Sequence, residues 1–483
     1  MKQRNVLVLL SDEHHADVMG CAGHPLVKTP NLDALASRGT RFTAAYTPSP
    51  ICVPARASLA TGRYVHQHRC WDNAIAYDGT VPGWGHRLQQ AGVPVESVGK
   101  LHYRKEEDPA GFDRQHLPVH IMDGIGQVFG SVRDPLPETI GRMPLFDKIG
   151  AGESSYNKFD RNVTEQAIAW LKARDQADPE QPWVLFVGLV APHFPLVVPQ
   201  EYLDLYPLED IPLPRLSPKD GYVRHPWVER QVRYTDHDAA VGSDERKKLA
   251  IASYYALTTF LDEQIGKIVA ALDESSFGSS TTVVYSSDHG DNMGVRGTWN
   301  KCLFYRESTA IPMILCGPDI PAGKTCGTAA SLVDLHPTIT EQAGIAKSPE
   351  DAGLPGASLV ELANREDDPA RFVLSEFHAI GSESAGYMVA DAKYKYHEYV
   401  GYPAEFFDLE QDPGETVNLA DAPGYQELVA RYAAKLRAFL DPAETDRSAK
   451  HDQALLIEAF GGREKALSTG TPGATPIPTS YAR

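Results

Sequence analysis

A chain of 483 residues can bury one large core with a smaller domain attached, and 42% apolar with 23% charged residues is the make-up of an ordinary globular protein. The net charge of −18 excludes nucleic acid as a partner, because a phosphate backbone needs a basic surface. Cys21, Cys52, Cys70, Cys302, Cys316 and Cys326 show no paired spacing, so neither a disulfide framework nor a zinc ribbon is indicated.

The N-terminus opens with basic residues and continues into an apolar run, Asn5 to Leu10. That run is too short for a signal peptide and lacks a small-residue cleavage site, so it reads as a buried strand. No later segment has the uninterrupted apolar length of a membrane helix, and the expectation is a cytoplasmic protein without membrane contact. Thr29 to Gly39 reads as a helix, with threonine as cap, proline in the first turn and glycine past the end. The turn-rich Thr47-Pro-Ser-Pro50 leads into a second helix, Pro54 to Ala60, which Thr61-Gly62 closes. Further buried strands are predicted at Val93–Val98, Trp183–Val190 and Thr281–Ser286, and a long amphipathic helix from about Arg246 to Leu272.

This alternation predicts an α/β fold, a large, mostly parallel sheet sandwiched by helices, in residues 1–370. From Arg371 the character changes: strand-like Tyr387–Ala390, Tyr394–Tyr399 and Phe406–Leu409 precede a helix at roughly Tyr425–Leu440. Residues 371–450 therefore read as a smaller C-terminal subdomain with an antiparallel sheet. Residues 451–483 read as a C-terminal tail, rich in Gly, Pro, Ser and Thr from Ser468 onward.

Polar residues gather where the strands end. The first strand is followed by Ser11-Asp12-Glu13-His14-His15, the next by Gly99-Lys100-Leu101-His102, the third by Ala191-Pro192-His193 and the last by Ser287-Asp288-His289-Gly290-Asp291. In a parallel sheet these ends share one edge, where α/β proteins place their active sites. Cys52 stands at the N-terminus of the second helix, whose unpaired N–H groups favour an anion, and Arg56 follows one turn later. A sulfur atom, a helix terminus and a guanidinium make a place to hold a tetrahedral oxyanion.

Ser49-Pro-Ile-Cys52-Val-Pro-Ala-Arg56, continuing to Gly62, resembles the Cys-x-Pro-x-Arg signature of the type I sulfatases, members of the alkaline phosphatase superfamily. Asp12-Glu13, Val98-Gly-Lys-Leu-His102, Ser287-Asp-His-Gly-Asp291, the Lys301 segment and Phe407-Asp-Leu-Glu-Gln-Asp-Pro-Gly-Glu415 resemble further landmarks of that family, in order. The flavour is that of choline sulfatases and phosphonate monoester hydrolases. The resemblance implies an alkaline phosphatase-like fold and hydrolysis of alkyl or aryl sulfate esters, with phosphonate monoester or phosphodiester hydrolysis as the alternative.

By the same resemblance Cys52 is oxidised by a sulfatase-maturing enzyme to formylglycine, whose hydrate is the nucleophile. One divalent metal, Ca2+ or Mn2+, is expected on Asp12, Asp288, His289 and the residue at 52, with Glu13 standing where relatives have aspartate or glutamine. Arg56, Lys100 and Lys301 are expected to stabilise charge on the sulfate oxygens, His193 to protonate the leaving group and His102 to act as base. Asn73, in Cys70-Trp-Asp-Asn-Ala74, matches an asparagine that touches the transferred group. The tail suggests a homo-oligomer. Trp71, His14, His15 and His24 read as structural.

Overall fold

The computed structural model describes residues 3–141, 143–176, 181–468 and 475–482. Eight strands form its main sheet: β1 (Asn5–Asp12), β2 (Gly39–Phe42), β3 (Val95–Lys100), β4 (Arg114–Val119), β5 (Val184–Pro192), β6 (Thr281–Ser287), β7 (Met313–Cys316) and β8 (Lys324–Cys326). Their order is β8-β2-β7-β6-β1-β5-β3-β4. Every neighbouring pair is parallel except the two that β7 makes.

All eight positions of β1 are buried, as a strand covered on both faces requires. Its side chains alternate between two cores. Leu7 and Leu9 meet Phe159 and Val163 of α3 (Ser155–Asp175) and Ile265 of α4 (Asp244–Asp273). Val6, Val8 and Leu10 face the layer that holds Ala55 and Leu59 of α2 (Cys52–Thr61). The sheet is thus sandwiched by helices. α1 (Pro30–Ser37) lies in the first of these layers and packs against α4.

Register fixes where the site lies. Val98 pairs with Val187, Val187 with Leu9, and Leu9 with Tyr285, so β3, β5, β1 and β6 run side by side in the same direction. Their last residues are Lys100, Pro192, Asp12 and Ser287, all at one edge. Each of the four strands predicted from apolar runs extends one or two residues beyond its expected end, toward the polar clusters.

The second sheet is an antiparallel meander of β9 (Val373–Phe377), β10 (Gly386–Ala390), β11 (Tyr394–Tyr399) and β12 (Glu405–Asp408). Tyr432 and Leu436 of α5 (Gln426–Phe439) cover its Tyr387, Val389 and Phe406. Beyond it the expectation of a tail from residue 451 is corrected. α6 (Pro442–Phe460) and a short helix, Arg463–Ser468, occupy that stretch, with the Asp441 side chain capping α6 and Pro442 in its first turn. The missed signal was this cap, ahead of a helix whose apolar stripe is weak.

Tail residues 469–474 lie outside the described residues. Residues 475–482 return to α3, where Tyr156 donates its hydroxyl to the Thr475 carbonyl at 2.6 Å and Asn162 donates to the Tyr481 carbonyl at 2.9 Å. Among the described residues no helix is long and apolar enough to cross a membrane.

Candidate active site

The helix that presents Cys52 begins two residues earlier than its proline suggested. Ile51 is its extended N-cap, Cys52 its first residue, and Gly62 closes it with φ 68°, a left-handed turn that suits glycine. All ten residues of α2 are buried, including Arg56. Asn73 accepts the Val53 N–H at 3.2 Å and so ties its own loop to the first turn of α2.

Arg56 reaches three strand ends at once. Its Nε donates to Asp288 Oδ2 at 2.7 Å, Nη2 to Asp12 Oδ2 at 3.0 Å and Nη1 to the Lys100 carbonyl at 3.0 Å. Lys100 Nζ lies 2.7 Å from the same Asp12 oxygen. Burial alone would raise the Asp12 carboxyl, but Lys100, His193, Arg56 and Lys301 hold it well below the usual carboxylate range. Asp12 is an anion here.

The opposite faces of these carboxylates converge on Cys52. Ligand atoms of Asp12, Cys52, Asp288 and His289 all lie within 4.8 Å of one another. Sγ is 3.1 Å from His289 Nε2 and 3.7 Å from Asp12 Oδ1. His289 donates its Nδ1–H to the Gly290 carbonyl at 3.0 Å, which leaves the Nε2 lone pair turned toward the cluster. Metal-bound histidines are fixed in this way. Two carboxylates, an imidazole lone pair and the atom at 52 fit a divalent cation, and the residues predicted from the strand ends supply it.

Glu13 stands to one side. Its backbone is left-handed, φ 68°, and its Oε2 lies 3.1 Å from Lys301 Nζ and 3.3 Å from His193 Nε2. Burial pushes its carboxyl well up, with Lys301 opposing and Asp291 adding to the rise. A second potential ligand group, Asp12, Glu13 and His193, includes it, whereas the group around Cys52 does not.

Lys301 Nζ is 3.2 Å from Cys52 Sγ. Burial pushes the thiol far up, Asp12 adding to the effect. His193 donates Nδ1–H to the Phe194 carbonyl at 2.6 Å and turns Nε2 toward the acids. Burial and Lys301 hold it well below the usual histidine range. His102 is likewise lowered by burial, Lys100 and Arg56. Its Nε2 meets Thr475 Oγ1 at 2.8 Å, and its buried Nδ1 has no hydrogen-bond partner among the described residues.

A cavity opens over this centre, with Cys52, Asn73, His102, His193, Lys301 and Thr475 in its wall. Arg56 and Lys100 are not in that wall. Trp71 gives its indole N–H to Asp452, and His14 binds the Tyr285 hydroxyl and the Val18 carbonyl, both structural as expected.

Two contributors escaped the sequence reading. Asp160 of α3 accepts the N–H groups of Val190 and Ala191, each at 2.8 Å, and so anchors the turn that presents His193. Its signal was a charge on the apolar stripe of Tyr156, Phe159, Val163 and Ala167. Thr475 left no signal, because nothing local marks a distant segment that folds back.

Comparison with known proteins agrees with this geometry. The sulfatase family model matches residues 4–345, and the model for the N-sulphoglucosamine sulphohydrolase C-terminal region matches residues 294–441. The choline-sulfatase of Rhizobium meliloti is 30% identical over 433 residues, 87% of this chain and 83% of that one. Arylsulfatase K of Homo sapiens is 28% identical over 87% of this chain and 79% of its own. The solved phosphonate monoester hydrolase of Agrobacterium radiobacter shares the fold, with a TM-score of 0.75 and 24% identity over 90% of this chain and 95% of that chain. With the signature cysteine set among paired carboxylates at the sheet edge, and a family match over most of its length, the chain belongs to the sulfatase family and is a sulfuric ester hydrolase.

Proposed function

We propose that the enzyme hydrolyses sulfate monoesters of an alcohol or phenol through a formylglycine formed from Cys52, with one divalent cation, Ca2+ or Mn2+, on Asp12, Asp288, His289 and the residue at 52. One observation carries this reading. Cys52, in the run Cys-Val-Pro-Ala-Arg56, places its side-chain atom at the focus of the ligand cluster and 3.2 Å from Lys301, where a nucleophile would stand. The aldehyde, as its hydrate, supplies an oxygen nucleophile and the cation supplies charge to withdraw electrons from substrate oxygens.

The chain's own groups then have distinct tasks. Lys301 faces the transferred group and stabilises the negative charge spread over its oxygens. His193 presents Nε2 to the departing oxygen, and the Glu13 carboxyl, which burial favours in its protonated form and which lies 3.3 Å from that same nitrogen, supplies the proton that His193 passes on. His102 takes a proton at Nδ1, since Thr475 occupies Nε2. Arg56 and Lys100 act through the carboxylates they hold rather than on the substrate. Asn73 keeps its loop against α2, at the rim of the site.

A maturing enzyme is the partner this reading requires; a homo-oligomer and a cytoplasmic location complete it. Mass spectrometry of the Cys52 peptide, from protein made in its native host, is the test. An aldehyde at that position is expected, and an intact thiol in protein that turns over sulfate esters overturns the proposal. Kinetics on matched sulfate and phosphonate monoesters separates this activity from its alternative.

A further inference from the structure

The cavity over Cys52 is charge-poor beyond the reacting centre. Ile51, Leu145, Val228, Trp299, Leu303 and Ile380 form much of its wall. Among the described residues Lys301 is the only lysine or arginine in that wall, and it is engaged by Glu13 and Cys52. Asp72 is the only carboxylate among the described wall residues. Its Oδ1 accepts the Ala74 N–H at 2.8 Å, and its Oδ2 accepts Ser131 Oγ at 2.6 Å and Gln453 Nε2 at 2.8 Å.

Besides His102 Nδ1 at the reacting centre, two wall groups have a buried polar atom without a hydrogen-bond partner among the described residues, the Tyr234 hydroxyl and His237 Nδ1. Burial lowers His237 to about 4, so it is uncharged at neutral pH. Among the described wall residues a polyanionic sugar would find no lysine or arginine beyond Lys301. A quaternary ammonium would find no free carboxylate among the described wall residues, and of the aromatic rings Phe194 already lies under the Lys301 ammonium at 5.3 Å. Apolar carbon, by contrast, gains from every methylene it buries.

Resting on the sulfate monoester reading, we infer that the leaving group is an uncharged and mostly apolar alcohol, with room for one or two hydrogen-bonding groups beside Tyr234 and His237. The cavity selects against alcohols that carry a charge of their own.

Primary alkyl sulfates test this, because their leaving groups are chemically alike and differ only in what the cavity meets. The substrates are propyl, hexyl and octyl sulfate, choline-O-sulfate and N-acetylglucosamine 6-sulfate, on the matured enzyme. kcat/KM is expected to rise roughly fourfold per methylene, the factor that burying one CH2 gives. Octyl sulfate should exceed the charged and the sugar ester by about 100-fold or more, the gain of several such methylenes. Ile380→Asp should narrow the octyl-to-choline ratio by at least about tenfold, since a carboxylate then faces the cavity.

A flat chain-length response, or preference for choline-O-sulfate or the sugar, overturns the inference. Should no sulfate ester turn over, the sulfatase reading fails by itself. Calorimetric titration with 1-hexanol and with choline then decides the cavity: tighter hexanol binding supports the inference, and tighter choline binding overturns it.

Discussion

Arg56 and Asp288 meet through Nε and Oδ2 at 2.7 Å, both buried, while the same guanidinium holds Asp12 and the end of β3. One side chain therefore sets the spacing between the two acids that face Cys52. Arg56→Lys keeps the charge but loses the planar fork. The expected result is loss of bound divalent metal by elemental analysis and at least about a hundredfold loss in kcat. Arg56→Ala should cost on the order of 3–5 kcal/mol of stability, because it leaves buried carboxylates unpaired. Unchanged metal content in Arg56→Lys would show that the acids hold their spacing unaided.

Asp288→Asn should weaken metal retention and turnover together, since an anionic ligand is exchanged for a neutral one. Raising the metal concentration should restore part of the activity. Activity lost with full metal occupancy would assign Asp288 another role.

His193→Ala should harm alkyl sulfates far more than nitrophenyl sulfate, because only a poor leaving group needs its proton. Asp160→Asn should show the same dependence in weaker form, since Asp160 fixes the backbone two residues before His193. Equal losses across leaving groups of very different pKa would remove both residues from leaving-group protonation.

Burial lifts the Asp160 carboxyl to about 7, against the lowering by the Ala191 and Val190 N–H groups. The folded state thus binds a proton that the unfolded chain has already released, so stability is greatest below the ordinary carboxylate range and falls as pH rises toward 7. A rise of that size is worth roughly 4 kcal/mol. Urea melts between pH 4 and 7 should show this slope, and Asp160→Asn should flatten it. The same slope in wild type and variant would place the titration elsewhere.

Thr475→Val should free His102 Nε2 and let the ring choose its own tautomer. A fall in kcat of about tenfold with little change in KM is expected, in the range typical of misaligned proton transfer. Wild-type kcat in the Thr475→Val variant would make the contact incidental.

The architecture was legible because its strands announce themselves. β1, β5 and β6 are continuous apolar runs, and the acids, imidazoles and lysine just past β1, β3, β5 and β6 mark the sheet edge. Edge strand β8 and its neighbour β2 are short and mixed, carrying too little apolar signal to stand out. Arg56 and Lys100 were expected over the substrate. Their partners come from strands far apart in sequence, and only the fold shows that carboxylates take their donors.

Cys52 is 1% exposed within a helix buried at every position, so on the proposed maturation route the maturing enzyme can reach it only while the chain is still open. Thr475, whose hydroxyl completes the surroundings of His102, leaves the ribosome more than 400 residues later. At about 5–20 residues per second that interval lasts from roughly 20 s to over a minute. On that route the order of synthesis gives the maturing enzyme its opportunity, and rapid refolding of purified, unconverted protein should close it for good.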